Sequence, residues 1–248
     1  MNDAFVLMLR GIRKAFSGKL AVDGLDLSVA AGEVYVFLGP NGAGKTTTMK
    51  IAVGLIAPDA GAVSVLGRPV KEHIRRGRRV PFSYVPEEPH LYERLTAREF
   101  FRFIGETSGI PEKELEERVA RFGTRLGVFD FIDEAAVTYS HGMRQRVAVT
   151  ASLITCPALF VIDEPMVGLD PSAALELRKI IREIASSGAA VLLSTHTIAI
   201  AQEIADRIGI MCRGRITAEG GPDELTKLGE NLEQAFLRLT ANPSPKQH

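Results

Sequence analysis

The chain has 248 residues, of which 46% are hydrophobic and 24% are charged, as in an average globular domain. This composition excludes a disordered, collagen-like or coiled-coil protein. Thirty Lys and Arg residues balance thirty Asp and Glu residues. The chain as a whole therefore has no strong attraction to nucleic acid, and we expect no nucleic-acid partner. The length favours one large domain with at most a modest appendage.

Neither a disulfide framework nor a membrane span is indicated. The two cysteines, Cys156 and Cys212, have no CxxC partner, so the pattern supports no disulfide framework and no zinc site. The longest apolar stretch, residues 147–162, is interrupted by polar residues and a proline, and it is shorter than the roughly 20 residues that cross a bilayer. The first ten residues lack a basic segment and a small-residue cleavage site, so we expect no signal peptide and a cytosolic compartment.

The predicted elements begin with antiparallel strands in the first thirty residues. Apolar and polar residues alternate there, and Gly18 and Gly32 mark turns. The apolar run at 34–38 predicts a buried strand that enters a glycine-rich loop. A helix is predicted to follow at 45–55.

An all-helical insert is predicted next. Amphipathic spacing covers about 96–135, and with a helix at 143–155 the helical region extends over about 96–155. Thr96 and Glu99 form a capping box at the first helix, and Pro111 opens the second. An apolar stripe is predicted to form the core of the insert, whose exposed members would be a docking face for a membrane partner; its residues are Phe100, Phe103 and Ile104.

The remainder of the chain alternates strands and helices. The predicted strands lie at 159–162, 190–194, 208–211 and 215–218, and the predicted helices at 172–186, 198–205 and 231–239. Such alternation is typical of an α/β core with a parallel sheet. We therefore predict a single domain over residues 1–240, followed by a tail at 241–248.

The loop after the strand at 34–38 fits the pattern G-x-x-x-x-G-K-[ST]. It consists of Gly39, Pro40, Asn41, Gly42, Ala43, Gly44, Lys45 and Thr46, and Thr47 completes the predicted nucleotide-binding segment. The glycines let backbone N–H groups surround phosphate oxygens, and the helix N-terminus adds its dipole. Lys45 is expected to reach the terminal phosphates and Thr46 to ligate magnesium. The motif predicts a P-loop NTPase.

A second motif ends the apolar strand at 159–162, where Asp163 and Glu164 are followed by Pro165. Ligands of α/β proteins lie at the carboxyl ends of the strands. Asp163 is therefore predicted to hold the magnesium shell, and Glu164 to act on the attacking water as general base. A Ras-like GTPase would require Asn-Lys-x-Asp, but no Asn is followed by Lys. A small-molecule kinase stays open at this point.

Further segments follow in order, and with them the chain resembles the nucleotide-binding subunit of an ATP-binding-cassette (ABC) transporter over about residues 5–240. Asp170 lies in a segment similar to the family's D-loop, and His196 ends a strand as the switch histidine does. The segment similar to the family signature contains Ser140, His141, Gly142 and Met143. The resemblance implies that this signature faces the ATP of a second cassette.

The resemblance also implies individual roles around the nucleotide. Phe16 occupies the position of the aromatic residue that stacks on adenine, and Glu87 stands where the family has Gln. Magnesium would be held by Thr46, Asp163 and Glu87, and the extra carboxylate would add negative charge beside the metal. Glu164 and His196 would be the catalytic residues.

As a whole, the resemblance implies an ATPase that uses ATP and Mg²⁺ and closes as a head-to-tail dimer, most simply a homodimer. It would lie at the cytoplasmic face of the membrane on a separate transmembrane permease. His141 in the signature and the segment 232–240 resemble exporters of the drug and antibiotic-resistance type. Two alternatives are a soluble ABC-type ATPase acting on nucleic acid or the ribosome, and a nucleotide-sensing subunit. The basic run at 75–79 is interpreted as a solvated loop.

Overall fold

The computed structural model describes residues 5–75, 80–227 and 230–241. The strands are β1 (Phe5–Phe16), β2 (Lys19–Ala30), β3 (Val34–Leu38), β4 (Ala60–Val65), β5 (Arg68–Pro69), β6 (Phe82–Val85), β7 (Leu159–Asp163), β8 (Ala190–Thr195), β9 (Arg207–Cys212) and β10 (Arg215–Gly220). The helices are α1 (Lys45–Ala52), α2 (Val70–Arg75), α3 (Ala97–Thr107), α4 (Glu112–Arg125), α5 (His141–Leu153), α6 (Pro171–Ser186), α7 (Ile198–Ile204) and α8 (Leu232–Ala241).

The central sheet has the strand order β10-β9-β3-β8-β7-β6. All neighbouring pairs are parallel except β9 and β10, which form an antiparallel hairpin at one edge. Every residue of β3 is buried, as expected of a strand covered on both faces. The predicted α/β core with a parallel sheet is confirmed.

A second, antiparallel sheet has the order β2-β1-β4-β5. The predicted N-terminal strands are confirmed as β1 and β2, which pair antiparallel along most of their length. β4 was not predicted, because its first residues are the small Ala60, Gly61 and Ala62, which carry no alternating apolar signal. Pairing with β1 supplies the partner that makes this segment a strand.

The core has two layers, one on each face of the central sheet. Val36 of β3 belongs to the layer shared with helices α3 to α7, whereas its neighbour Phe37 belongs to the layer shared with α1 and the antiparallel sheet. This alternation follows from the two-residue period of a strand. The loop between β3 and α1 directly follows a parallel strand. It therefore lies at the carboxyl edge of the sheet, where ligands of such sheets bind.

The helical insert is confirmed, and Phe100 and Ile104 of the predicted stripe pack against its core. The capping box of Thr96 and Glu99 is present at α3, whereas Pro111 precedes α4 as its N-cap. The buried positions of α3 are Ala97, Phe101 and Gly105, and Phe103 is 42% exposed, so its assignment to the core was wrong. Gly105 permits close packing at this face, because a Cβ there would lie 2.6 Å from Leu115 of α4.

Two predictions fall wholly or partly outside the described residues: the basic run, of which only Arg75 is described, and the tail after Ala241. Most element boundaries differ from the predicted ones by no more than about three residues; α5, for example, begins at His141 and ends at Leu153. Among the described residues, none of the helices combines the length and the apolar character that a membrane crossing requires.

Candidate nucleotide-binding site

The loop between β3 and α1 follows a path that glycine permits. Gly44, immediately before α1, has a φ of 107°, and a Cβ there would lie 2.3 Å from the carbonyl oxygen of Ala21. A Cβ on Gly39 would lie 2.3 Å from the carbonyl oxygen of Met211. The backbone thus approaches its neighbours more closely than a side chain allows. The first turn of α1 receives no side-chain cap from Gly44, which leaves its N–H groups available to an anion.

Lys45 begins α1 and carries a buried ammonium group, with only 6% of the residue exposed. Its Nζ donates to the carbonyl oxygens of Gly39, at 2.7 Å, and Pro40, at 3.3 Å. Glu164 Oε1 lies 3.8 Å from the same nitrogen. The ammonium is therefore held inside the loop by neutral oxygens, which the oxygens of a phosphate could replace.

Thr46 and Asp163 meet where α1 faces the end of β7. The Thr46 hydroxyl donates to Asp163 Oδ2 at 2.6 Å, which leaves the lone pairs of the hydroxyl oxygen free for a cation. The other carboxylate oxygen, Oδ1, accepts a hydrogen bond from the Ser194 hydroxyl. Asp163 and Ser194 are register partners on β7 and β8, so the parallel sheet itself brings them together.

Glu164 is buried, with 6% of the residue exposed, and has a φ of 45°, which is uncommon for a residue with a side chain. Its backbone N–H donates to Ser194, to Oγ at 3.1 Å and to the carbonyl oxygen at 3.2 Å. His196 Nδ1 lies 3.0 Å from Glu164 Oε1, although no described residue gives that oxygen a well-aligned hydrogen bond. A buried carboxylate oxygen with free acceptor capacity thus faces the cleft beside Lys45.

These groups line a cleft of about 410 Å³. Its described lining residues are Phe16, Lys19, Leu20, Ala21, Asn41, Gly42, Ala43, Gly44, Lys45, Thr46, Thr47, Glu87, Asp163 and Glu164. Phe16 is 47% exposed, and Lys14 Nζ lies 5.5 Å from the centroid of its ring. The structure therefore brings together in one cleft an aromatic platform, the glycine-rich loop and three carboxylates.

Two residues of this site were not assigned from the sequence, Ser194 and Tyr84. The signal for Ser194 was its place at the end of a strand, directly before Thr195 and His196. Tyr84 lies on β6, the strand beside β7. Burial raises the pKa of its phenol well above the ordinary value, and the negative charges of Asp163 and Glu87 add to this effect. The phenol therefore stays protonated at neutral pH.

The signature segment lies at the start of α5 and does not contribute to the described lining of the cleft. Ser140 is the N-cap of α5, and its Oγ accepts a hydrogen bond from Met143 N at 3.2 Å. The segment packs on the D-loop, because a Cβ on Gly142 would lie 2.4 Å from the carbonyl oxygen of Gly168. A Cβ on Gly168 would in turn lie 2.3 Å from Cδ2 of His141. The sequence-predicted residues thus form two separate groups within one chain.

Asp170, in the D-loop, is the N-cap of α6. Its Oδ1 accepts hydrogen bonds from Ser172 N at 3.0 Å and Ala173 N at 2.9 Å. The hydrogen bond from Ala173 is the main reason that the pKa of this carboxyl is lowered. Asp170 is therefore ionised at neutral pH and has a local role in starting α6.

The cleft fits a nucleotide with a magnesium ion on three observations. Gly39 and Gly44 let the loop pack directly on the backbone of Met211 and Ala21, and the uncapped first turn of α1 lines the cleft. Thr46 and Asp163 present a hydroxyl and a carboxylate side by side, which are oxygen ligands of the kind that Mg²⁺ prefers, together with phosphate oxygens. Glu164 Oε1 has free acceptor capacity at the same place.

Comparison with known proteins agrees with this geometry. The family described as "ABC transporter" matches residues 22–167. The chain is 39% identical over 223 residues to the daunorubicin/doxorubicin resistance ATP-binding protein DrrA of Streptomyces peucetius, covering 90% of this chain and 67% of that protein. It is 34% identical over 220 residues to the Nod factor export ATP-binding protein I of Ralstonia nicotianae, covering 89% and 68%.

A solved structure described as the ATP binding subunit of an ABC transporter superposes with a TM-score of 0.88 at 32% sequence identity, covering 94% of this chain and 99% of that one. The family match spans more than half of the chain and includes the loop at 39–46 and the carboxylates at 163–164. The chain therefore belongs to the ABC transporter family as an ATP-binding subunit that resembles those of drug exporters, and it is an ATPase.

Proposed function

We propose that this chain binds and hydrolyses ATP at the described cleft and uses the cycle to drive a separate membrane permease in export. The observation that carries the proposal is Glu164: a buried carboxylate, directly after Asp163, with an oxygen that makes no well-aligned hydrogen bond to a described residue. Two relatives are named as a drug-resistance and a Nod factor export ATP-binding protein, which supports the exporter assignment.

The geometry suggests how the residues act on ATP. The terminal phosphates would lie on the N-terminus of α1, where Lys45 exchanges its carbonyl contacts for phosphate oxygens. Glu164 would take a proton from the attacking water. His196, whose Nδ1 lies 3.0 Å from the Glu164 carboxylate, would orient Glu164 and the water. Thr46 and Asp163 would hold Mg²⁺, with Glu87 at the edge of the site. When bound, Mg²⁺ neutralises the charge that develops on the phosphates.

Phe16 would stack on the base of the nucleotide at the open end of the cleft. The ring is exposed, and stacking uses its face. Because a stacked ring does not read the hydrogen-bonding edge of the base, we expect GTP to bind as well as ATP.

A head-to-tail dimer would complete the site. The signature residues do not line the cleft of their own chain, yet α5 begins at the N-cap Ser140 with a helix N-terminus suited to a phosphate. A second copy of the chain would supply Ser140, His141, Gly142 and Met143 to the nucleotide held by Lys45. Since one chain carries both halves, a homodimer is the simplest assembly.

An aromatic surface formed by the helical insert and the loop that leads into it would meet the permease. Tyr92 and Phe103 are 61% and 42% exposed, and their ring centroids lie 5.9 Å apart. Beside them an apolar groove of about 490 Å³ runs between β6, α3 and α5. Exposed aromatic side chains beside an apolar groove are typical of protein interfaces. The subunit would then lie peripherally on the cytoplasmic face of the membrane.

Glu164→Gln tests the hydrolytic part of the proposal. The amide keeps the shape of the side chain but cannot take a proton, so ATP should still bind while turnover falls by about 10²–10⁴-fold. With hydrolysis blocked, a dimer should accumulate on size-exclusion chromatography in ATP. The double variant Lys45→Ala/Glu164→Gln is the control and should stay monomeric. Turnover at the native rate would remove Glu164 from the role of base.

Membrane association tests the second part. The native chain should be recovered with a membrane protein, and Tyr92→Ser/Phe103→Ser should reduce that recovery while ATP binding stays intact. Leu237→Ser, at an apolar position that is 60% exposed on α8, is the matched control and should have no effect. Salt-sensitive recovery on ribosomes or DNA would instead favour the nucleic-acid alternative.

A further inference from the structure

Tyr84 is a residue beside the metal site that the chemistry proposed above does not use. It is the register partner of Val161 on the neighbouring strand β7, and both side chains pack in the core layer on the α1 side of the sheet. Asp163 follows Val161 by two residues and so projects to the same face. The Tyr84 hydroxyl oxygen is buried and makes no well-aligned hydrogen bond with any described residue.

An unpartnered buried hydroxyl destabilises a protein unless it serves another purpose. A phenylalanine at this position would keep the packing and remove the unsatisfied group, so the stability of the empty protein does not explain the phenol. A phenol carries one O–H donor, and its ordinary pKa of about 10 keeps it protonated at neutral pH. It is therefore available as a hydrogen-bond donor.

Asp163 is a carboxylate that can accept a further donor. Oδ2 accepts one hydrogen bond from Thr46 and Oδ1 accepts one from Ser194, whereas an ionised carboxylate has about four acceptor positions. The two donors come from α1 and β8. From β6, on the other side of β7, no well-aligned hydrogen bond reaches the carboxylate, but the Tyr84 phenol lies close enough to Asp163 to interact with it.

We propose that Tyr84 is a positioning residue for the metal-binding carboxylate: its hydroxyl donates a hydrogen bond to Asp163 when a magnesium nucleotide occupies the cleft. The inference rests on the proposed function, in which Asp163 holds Mg²⁺. Asp163 would then be oriented by three donors on three elements. Because this hydrogen bond becomes well aligned only in the loaded site, it strengthens the binding of the magnesium nucleotide more than it stabilises the empty protein.

Tyr84→Phe tests the inference, with Ser83→Ala as a matched control. Ser83 also has a buried, unpartnered hydroxyl, but it is the register partner of Phe160, which packs in the layer on the opposite face of the sheet. Both variants remove one buried hydroxyl from β6, and only Tyr84→Phe removes it from the Asp163 side. The affinity for a fluorescent ATP analogue is measured in EDTA and across a Mg²⁺ titration, together with the thermal unfolding of the empty protein.

Partners that orient a metal ligand typically change metal affinity by about 10–100-fold. We expect the factor by which Mg²⁺ raises nucleotide affinity to be about tenfold smaller in Tyr84→Phe than in the unmodified protein. Its affinity in EDTA should be unchanged and its Tm unchanged or raised, and Ser83→Ala should keep the full effect of Mg²⁺.

Three results would overturn the inference. The first is a Tyr84→Phe variant in which Mg²⁺ raises nucleotide affinity as much as in the unmodified protein, whether or not its Tm falls. Equal losses in Tyr84→Phe and Ser83→Ala would indicate a general distortion of β6. The third is that Mg²⁺ does not raise nucleotide affinity in the unmodified protein. In that case the metal site of the proposed function is wrong as well, whereas a failure confined to the Tyr84→Phe variant would concern Tyr84 alone.

Discussion

Ser194 donates a hydrogen bond from its hydroxyl to Oδ1 of Asp163, its register partner across the β7–β8 pair. The same hydroxyl oxygen accepts the backbone N–H of Glu164 at 3.1 Å. One fully buried side chain thus fixes the carboxylate proposed to hold magnesium and the backbone of the carboxylate proposed to act as base.

Ser194→Ala should weaken both functions of this side chain. Hydrogen bonds to charged groups contribute about 1.5–3 kcal/mol, so the free energy of unfolding should fall by about 2 kcal/mol. The Mg²⁺-dependent gain in ATP affinity should also fall, because Asp163 loses one of its orienting donors. Denaturant unfolding and equilibrium ATP binding measure the two effects. Thr195→Val is the control. It removes a hydroxyl that accepts a hydrogen bond from Thr197 N and should leave the Mg²⁺-dependent gain in ATP affinity unchanged. An equal loss of this gain in Thr195→Val would contradict the assignment of Ser194.

Lys45→Ala should abolish nucleotide binding or nearly so. Removing one partner of a buried, hydrogen-bonded charge pair costs about 2–5 kcal/mol, so a loss of roughly 3 kcal/mol would weaken ATP binding about 100-fold. Equilibrium binding of labelled ATP measures this loss. Lys50→Ala removes the same charge from the last turn of the same helix and should bind normally. Unchanged affinity in Lys45→Ala would exclude Lys45 from the site.

Glu87→Gln should keep or raise ATPase activity while shifting its magnesium dependence. The side chain borders the cleft beside Asp163 and Glu164, so its charge attracts cations and repels phosphates. The amide should therefore tighten ATP binding without magnesium and raise the Mg²⁺ concentration for half-maximal activity, each by a few-fold, as for an exposed charge worth about 1 kcal/mol. Glu88→Gln, next along the chain, is the control. Loss of turnover with intact binding would give Glu87 a specific chemical role.

Asp170→Ala should lower the free energy of unfolding by about 1 kcal/mol, because it removes the N-cap of α6. Asp170→Asn should preserve stability to within a few tenths of a kcal/mol, since Asn is an equally good N-cap. Chemical denaturation measures both values. Equal destabilisation by the two substitutions would show that the negative charge, and not the cap, stabilises this turn.

Local sequence was sufficient for the glycine-rich loop and for the acidic pair at 163–164. Each motif follows an apolar strand directly, and short-range rules fix both the strand and the turn that ends it. The capping box of Thr96 and Glu99 is a third case, since its two hydrogen bonds join residues three apart. For these features the partners are close in the chain, so the pattern alone specifies the contacts.

The tertiary structure decided what depends on distant partners. Phe103 has the spacing of a core residue, but α4 packs on the face of α3 that carries Gly105, where Leu115 approaches closely, and Phe103 stays exposed. Ser194 and Tyr84 lie beside Asp163 only because β8 and β6 flank β7 in the sheet.

The separation of Ser140 from the cleft likewise follows from the packing of α5 on the D-loop. The sequence by itself determined the chemistry of each motif, because that chemistry resides in side chains and turns a few residues long. Only the tertiary structure determined which motifs share a site, since strand order and helix packing join residues far apart in the chain.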